Sequence, residues 1–321
     1  MSQHLIYYIL SFVGIWLGAG LAIRSVERVS HKLKLSSFSV SFLLLGMLTS
    51  IGEFSVGVNA IIENDPEIYV GNLIGASIVI FMLIIPLLAL LGRGIKVHKE
   101  LQGPNMIMSL IVIAAPVILS IDGVINRFDS ICIIMLYGLL AIRIRSQKGV
   151  FEQLREMTTM RPFKSFHAIR EVGKILLGLT ILFISSHVVV EQTLYFSSFL
   201  GVSPFLLSLL LISIGTNIPE LSLALRSSFM KDNEVAFGDY VGSAAFNSFL
   251  VGALTLWYGQ PVILTNSYLV SLLFLIVGLL AFYFFAKSKH VISRVEGLLL
   301  LVLYGMFLWS EIALHTWRMG P

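Results

Sequence analysis

Glu220 is the residue most able to do chemistry in this chain. It lies inside an apolar run, directly after Pro219 and four residues past Thr216. Between 18 and 27 residues on, a second apolar run carries Gly238, Gly242, Ser243 and Asn247. A carboxylate surrounded by apolar residues is costly to bury unless it faces a protein interior or a water-filled cavity with a cation to meet. Pro219 and Gly215 weaken the helical hydrogen-bond ladder beside it and are expected to turn carbonyl oxygens towards an ion. Thr216, Asn217, Ser243 and Asn247 add hydroxyl and amide oxygens. These are hard ligands of the kind that Ca²⁺ or Na⁺ takes.

The same pattern stands earlier in the chain. An offset of 167 residues lays Thr49 on Thr216, Ile51 on Ile218, Glu53 on Glu220 and Ser55 on Ser222, without a gap. It also lays Asp65 on Asp232, Glu67 on Glu234, Gly71 on Gly238 and Gly75 on Gly242. A repeat that preserves a carboxylate within an apolar run points to a secondary transporter, with its site where the repeats meet. Glu53 and Glu220 are therefore the leading candidates. A protonated or helix-capping glutamate at an interface is the plainer alternative.

The elements that must hold these residues are membrane helices. Of the 321 residues, 57% are hydrophobic and only 12% charged, too apolar for a soluble surface. Runs long enough to span a bilayer fall at 4–23, 37–62, 68–92, 105–121, 129–145, 173–193, 198–225, 234–257, 265–286 and 292–314. The expected fold is an all-α membrane protein of ten transmembrane helices, arranged as two inverted five-helix repeats. The first repeat is 1–145, with its motif at about 46–81, and the second is 173–321, with its motif at about 213–249. A basic linker, 146–172, lies between them and is expected to be cytoplasmic. It has the makings of an interfacial amphipathic helix and is too short for a folded calcium-sensing domain.

Charge sets the orientation. Assigning loops alternately to the two sides places 20 of the 22 Lys and Arg on one side, leaving only Arg127 and Arg318 for the other. By the positive-inside rule both termini lie outside. The first span has its basic residues after it rather than before it, unlike a cleaved signal peptide, so it is expected to stay as a helix. Five helices per half make the second repeat enter from the opposite side, which alternating access requires. Gly14, Gly18, Gly173 and Gly178 mark the first and sixth helices for close packing. Helices 4, 5, 9 and 10 read as scaffold.

G-T-N-I-P-E-L at 215–221 and G-D-Y-V-G-S-A-A-F-N at 238–247 resemble the second alpha repeat of the cation/calcium antiporter superfamily, nearest to its sodium/calcium exchangers. T-S-I-G-E-F and G-N-L-I-G-A-S-I-V-I resemble the first repeat in degenerate form. The resemblance implies a ten-helix fold with the site on helices 2, 3, 7 and 8, and sliding of helices 1 and 6 to switch access. Thr49, Ser50, Thr216, Asn217, Ser243 and Asn247 then rank behind the two glutamates as metal-ligating positions. Ser and Thr in membrane helices often bond the carbonyl one turn back, and this stands as the alternative for each. Ser77, one place past the family serine, ranks lower.

The departures bear on coupling. Gly52 replaces the first motif's proline, Leu48 its first glycine, Ala76 its serine and Ile80 its second asparagine. In the family those serines help form sodium sites beside a central calcium site, so the resemblance implies one flanking site intact near Ser243 and one stripped near Ala76. Asp239 stands where the family has Asn; a helix-start cap and an ion-pathway role both fit it. His187 reads as a packing residue, and Glu63, Asp65 and Glu67 as solvated loop charges.

The expected activity is antiport of Ca²⁺, or a related divalent cation, against Na⁺ or H⁺ by alternating access at a two-glutamate site. Two alternatives stand beside it: an H⁺-coupled exchanger with little sodium dependence, and a non-transporting scaffold or sensor that keeps the fold. No phosphate loop, nucleophile–base pair or histidine cluster suggests an enzyme or a bound cofactor. Cys132 is alone, so no intrachain disulfide forms. Inorganic cations and the lipid bilayer are the expected partners. No basic–aromatic pattern suggests nucleic acid, and no soluble partner is implied. The small size and short loops suggest a prokaryotic inner membrane.

Overall fold

The computed structural model describes residues 1–32, 42–43, 46–92, 94–97, 101–145, 165–221, 233–264 and 268–319. Most of the linker at 146–172, and Ser222, Arg226, Lys231 and Asp232 of the second motif, lie outside the described residues. The described chain is almost entirely helical. It opens with α1 (Ser2–Lys32), followed by α2 (Gly46–Thr49), α3 (Ile51–Ile62) and α4 (Glu67–Val79). A π-helical turn at Ile80–Ile84 joins α4 to α5 (Ile85–Leu91). Then come β1 (Ile95–Lys96), α6 (Pro104–Leu119), β2 (Val124–Ile125) and α7 (Arg127–Arg145).

The rest begins with α8 (Ser165–Leu200) and α9 (Pro204–Leu207). A second π turn at Ser208–Ile212 leads into α10 (Ser213–Thr216). Next are α11 (Asn233–Tyr258), β3 (Val262–Ile263), α12 (Tyr268–Lys289), β4 (Val291–Ile292) and α13 (Arg294–Met319).

Among the described residues, six helices are long and apolar enough to cross a membrane: Ser2–Ala22, Glu67–Leu91, Arg170–Leu200, Gly238–Tyr258, Tyr268–Ser288 and Arg294–Leu314. Ile51–Ile62, Pro104–Leu119 and Pro204–Thr216 are shorter apolar helices. Helix α7 carries Arg127, Asp129, Arg143 and Arg145 at its ends, which shortens its apolar centre. The outer faces are apolar. On α7, Ile131, Met135, Leu139 and Ile142 recur about once per turn and are all exposed. Such a stripe is a liability in water and suits hydrocarbon.

Two expected boundaries move. Helix α8 starts at Ser165, inside the expected linker, because no Gly or Pro interrupts the chain between Pro162 and Glu171. Helix α1 likewise runs on to Lys32, past its apolar part, with no breaker after Gly20. The runs at 37–62 and 198–225 are not single helices. Each breaks at an equivalent residue: Ser50 (φ −76°, ψ 8°) and Asn217 (φ −89°, ψ 9°). The break thus precedes Pro219 by two residues and forms equally well where Gly52 replaces that proline.

Helices α1 and α8 pack along their lengths, backbone against backbone. A Cβ on Gly18 would stand 2.8 Å from the Gly178 carbonyl oxygen, and one on Gly178 would stand 2.7 Å from that of Gly18. Small residues allow this approach. The helical unit Glu67–Leu91 is the most deeply buried span, and Gly238–Tyr258 is the next.

The strand pairs tie the halves together. β1 pairs antiparallel with β4 (Ile95 with Ile292, Lys96 with Val291), and β2 with β3 (Val124 with Ile263, Ile125 with Val262). The offset of 167 converts one pairing into the other, residue for residue. The starts of α7 and α13 match likewise: Asp129 accepts from the Asn126 amide at 2.9 Å, and Glu296 from the Ser293 amide at 2.7 Å. Because β1 and β2 flank opposite ends of α6, the two sheets close opposite ends of the bundle.

Candidate cation site

The site lies where the breaks at Ser50 and Asn217 meet α4 and α11. Glu53, in the first turn of α3, is fully buried, and so is Glu220. The Glu53 Oε1 accepts from the Asn217 side-chain amide at 3.2 Å, while that amide also donates to the Ser213 carbonyl at 2.8 Å. Ser50 Oγ donates to the Gly46 carbonyl at 2.9 Å and lies 3.0 Å from Ser243 Oγ. Thr49 Oγ1 donates to Asp239 Oδ1 at 3.3 Å, and Thr216 Oγ1 to Asn72 Oδ1 at 3.3 Å. Those last two contacts are equivalents under the repeat offset. Six of the eight expected positions are therefore joined by bonds across the two repeats or to their partner helices.

The other two are Glu220 and Asn247. Asn247, one turn beyond Ser243 on α11, is fully buried. Tyr240 holds the Glu220 backbone by donating to its carbonyl at 3.3 Å. Both carboxylate oxygens of Glu220 and both polar atoms of the Asn247 amide find no hydrogen-bond partner among the described residues. The same holds for Glu53 Oε2, Asn217 Oδ1 and Asn72 Nδ2. Among the described residues no Lys, Arg or His side chain is buried. Two buried glutamates with unmatched oxygens, among hydroxyl and amide oxygens, form a donor set suited to a hard cation. Among the described residues no group of three His, Cys, Asp or Glu is placed as a ready-made metal cluster. What the site offers is a mixed oxygen set.

Several individual expectations change. Asp239 is not a helix-start cap: α11 begins six residues earlier, at Asn233, and Asp239 is buried within electrostatic reach of Glu220. Its equivalent Asn72, and Tyr240, join the site through Thr216 and the Glu220 carbonyl; the repeat register that pairs Asn72 with Asp239 is the signal for the first in the sequence. The back-bonding alternative holds in part for Thr49, Ser50 and Thr216, which bond a carbonyl of their own helix as well as a residue across the site. Ser77 only reaches back, to the Leu73 carbonyl at 3.3 Å.

Helices α12 and α13 hold more chemistry than a scaffold needs. Glu311 is buried and accepts from Ser271 Oγ at 2.6 Å. At the turn between α3 and α4, Glu67 is a buried first-turn residue of α4 rather than a solvated charge. Asp65 is half-buried, and burial, with Glu67 adding to it, pushes its carboxyl up to about 6. His187 stands between Glu63 at 3.6 Å and Glu191 at 3.7 Å.

Comparison with known proteins bears on the whole chain. The family described as sodium/calcium exchanger protein matches residues 3–144 and 171–313. The chain belongs to that family. This exchanger-family protein is thus a multi-pass membrane protein of the cation/calcium antiporter superfamily, a group of ion exchangers and not of enzymes. An uncharacterised membrane protein of Methanocaldococcus jannaschii is 26% identical over 314 residues, 98% of each chain. The sodium/calcium exchanger MaX1 of Methanosarcina acetivorans is 20% identical, covering 96% of this chain and 98% of its own. Among solved structures, the sodium–calcium exchanger NCX_Mj superposes with a TM-score of 0.66 at 21% identity, covering 96% and 98% of the two chains. The H⁺/Ca²⁺ exchanger CAX superposes with a TM-score of 0.77 at 16% identity, covering 95% of this chain and 82% of its own. At these identities the likeness is one of fold.

Proposed function

We propose that this exchanger-family protein is a secondary active antiporter that moves Ca²⁺, or a related divalent cation, against Na⁺ or H⁺. The observation that carries the reading is the buried pair Glu53 and Glu220, with carboxylate oxygens that meet no partner among the described residues. Two negative charges in a low-dielectric interior are matched by one Ca²⁺, by two Na⁺, by two protons, or by one of each. The empty, charged site is the species least able to pass between access states, so one load must be exchanged for another.

The architecture that suits this chemistry is ten spans in two inverted five-helix repeats, 1–145 and 173–321. The equivalent breaks, the mirrored strand pairs and the separate family matches to each half support it. In this reading α1 and α8, which touch through Gly18 and Gly178, slide over the site-bearing helices to switch access. Both termini lie outside, in a prokaryotic inner membrane. Single cysteines replacing Gln3 and Lys148 in a Cys132→Ser background then label from opposite sides; labelling from one side removes the inverted arrangement.

A second reading, proton coupling, draws support from one specific feature. Ala76 and Ile80 stand where the second repeat has Ser243 and Asn247, which leaves the Glu53 side short of oxygens. Na⁺ needs several oxygens in place of its hydration shell, whereas a proton needs only a carboxylate. Calcium uptake into proteoliposomes, driven in turn by sodium and proton gradients, tests both readings. Uptake under either gradient supports antiport, and the effective gradient names the coupling ion. Uptake under neither removes the proposal.

A further inference from the structure

We infer that the groove between α6 and α12 holds one anionic phospholipid, with an acyl chain along the groove and the phosphate at Lys287. This site is separate from the glutamates and does not depend on the antiporter reading; only the naming of the leaflet uses the topology proposed there.

The groove follows from the spacing of side chains on α6. Ile107, Ile111, Ala114 and Ile118 recur at helical intervals and share one face of that helix. Ala114 is the small member of the row, and Leu280 and Tyr283 of α12 form the opposite wall. The cavity between them measures about 370 Å³, within the range of sites that hold small organic molecules. Its lining is apolar apart from the Tyr283 hydroxyl, and Ile107, Ile111, Ile118 and Leu280 are exposed on the outside of the bundle. From Ile107 to Ile118 the groove runs roughly 16 Å at the helical rise, about half the thickness of a hydrocarbon core. That is the depth of one leaflet and suits a single acyl chain.

Charge decides which lipid it takes. Lys287 stands one turn beyond Tyr283 on α12 and is exposed, with its Nζ 5.5 Å from the centre of the Tyr283 ring. A lysine so placed keeps its stem on apolar surface and its ammonium at the level of the lipid head groups. Neither lining helix carries an Asp or Glu. Lys96 of β1, also exposed, adds positive charge at the same end, because β1 pairs with the strand that follows α12. An ammonium at the mouth of an apolar groove, with no carboxylate on either wall, fits a phosphate joined to an acyl chain. A zwitterionic head group would bring its own cation to Lys287, so the anionic lipid is favoured. In the topology proposed above, this end faces the cytoplasm.

The repeat marks the site as particular to one end. Under the offset of 167, Tyr283 answers to Pro116 and Lys287 to Ser120, which is buried and donates to the Val117 carbonyl. The equivalent place at the opposite end therefore has neither the ring nor the cation. Helix α6 belongs to the first repeat and α12 to the second, so a lipid seated between them braces the two halves.

Native mass spectrometry of the purified full-length protein, stripped of lipid in detergent, compares binding of dioleoyl phosphatidylglycerol and dioleoyl phosphatidylcholine. Wild-type protein is expected to retain one phosphatidylglycerol, more tightly than phosphatidylcholine, and to melt at a higher temperature with it bound. Lys287→Gln should weaken that binding about fivefold, the worth of one lysine at a membrane surface, and Lys287→Arg should keep it. Leu280→Trp fills the groove from an exposed position and should abolish retention; Ile111→Trp, on the other wall, serves where the first variant does not fold. Arg170→Gln removes an exposed cation from α8 at the same membrane face and should leave binding unchanged. Equal binding of the two lipids by wild-type protein overturns the proposal. So does undiminished phosphatidylglycerol binding in a folded groove-filling variant, or an equal effect of Lys287→Gln and Arg170→Gln. No transport is measured, so failure of the antiporter reading leaves this site standing, and failure of this site leaves that reading standing.

Discussion

The break at Ser50 and the break at Asn217 have nearly the same backbone and different chemistry. Each interrupts a helix next to a buried glutamate, and each is followed by a helix carrying that glutamate. The close contacts repeat as well: the backbone of Gly75 meets the Leu209 carbonyl, and that of Gly242 meets the Phe42 carbonyl, again at equivalent positions. Around Ser50 the side chains bond to Ser243 and Asp239 by way of Ser50 and Thr49, and Glu220 is left without a partner among the described residues. Around Asn217 the amide is spent on Glu53. Backbone geometry here is fixed by small residues and close approach, which leaves the ligand side chains able to diverge without disturbing the fold.

The largest expected effect tests whether both halves are still needed. Glu53→Gln and Glu220→Gln should each bring calcium exchange to background, a loss of at least about a hundredfold, on the order of 3 kcal/mol of ion binding. Calcium counterflow in proteoliposomes measures this, and near-normal exchange in one variant would show that its half has lost its role. Next come the glycines. Gly75→Val and Gly242→Val should each destabilise the folded protein by about 1–3 kcal/mol through overpacking against a carbonyl. A fluorescence melting series in detergent reads the shift; equal losses support equivalence, and a silent variant breaks it.

A smaller change is expected when the stripped half is rebuilt. Ala76→Ser with Ile80→Asn should raise sodium-driven calcium uptake by a few-fold relative to proton-driven uptake, because oxygens return beside Glu53. An unchanged ratio would mean that those positions do not control coupling. The smallest effect separates two threonines. Thr49→Val breaks a bond to a carboxylate and should cost about 1.5–3 kcal/mol, whereas Thr216→Val breaks one to an amide and should cost about 0.5–1.5 kcal/mol. Melting temperatures that reverse this order would contradict the charge difference between Asp239 and Asn72.

Much of the arrangement was legible because the repeat keeps its register. Glu53 and Glu220, Thr49 and Thr216, Gly75 and Gly242 are equivalent pairs in the sequence; the threonines and the glycines also make equivalent contacts in space, and both glutamates are buried beside a break. The helix breaks were harder to read. Pro219 suggested where the second one lies, but the chain breaks at Asn217, and the first break forms with no proline at all. Asp239 was ambiguous because a cap and an ion-pathway residue share a residue type, and the start of α11 at Asn233 removes only the cap. Glu311 stayed hidden because nothing in the first repeat matches it: its equivalent is Ile144, and Ser271 answers to Pro104. The extensions of α1 and α8 beyond their apolar parts left no hydropathy signal.

The strand pairs have a consequence for how this protein is made. β1 finds its partner only in β4, almost two-thirds of the chain further on, and β2 waits for β3. A ribosome delivers the halves in order, so the first half enters the bilayer with both of its short strands unmatched at opposite faces. Those backbone groups must remain hydrated at the membrane surface, or be held by the insertion machinery, until the last helices arrive. Synthesis of the final hairpin, α12 to α13, is the event that completes the frame, and a chain stopped before β3 leaves an assembly open at both ends.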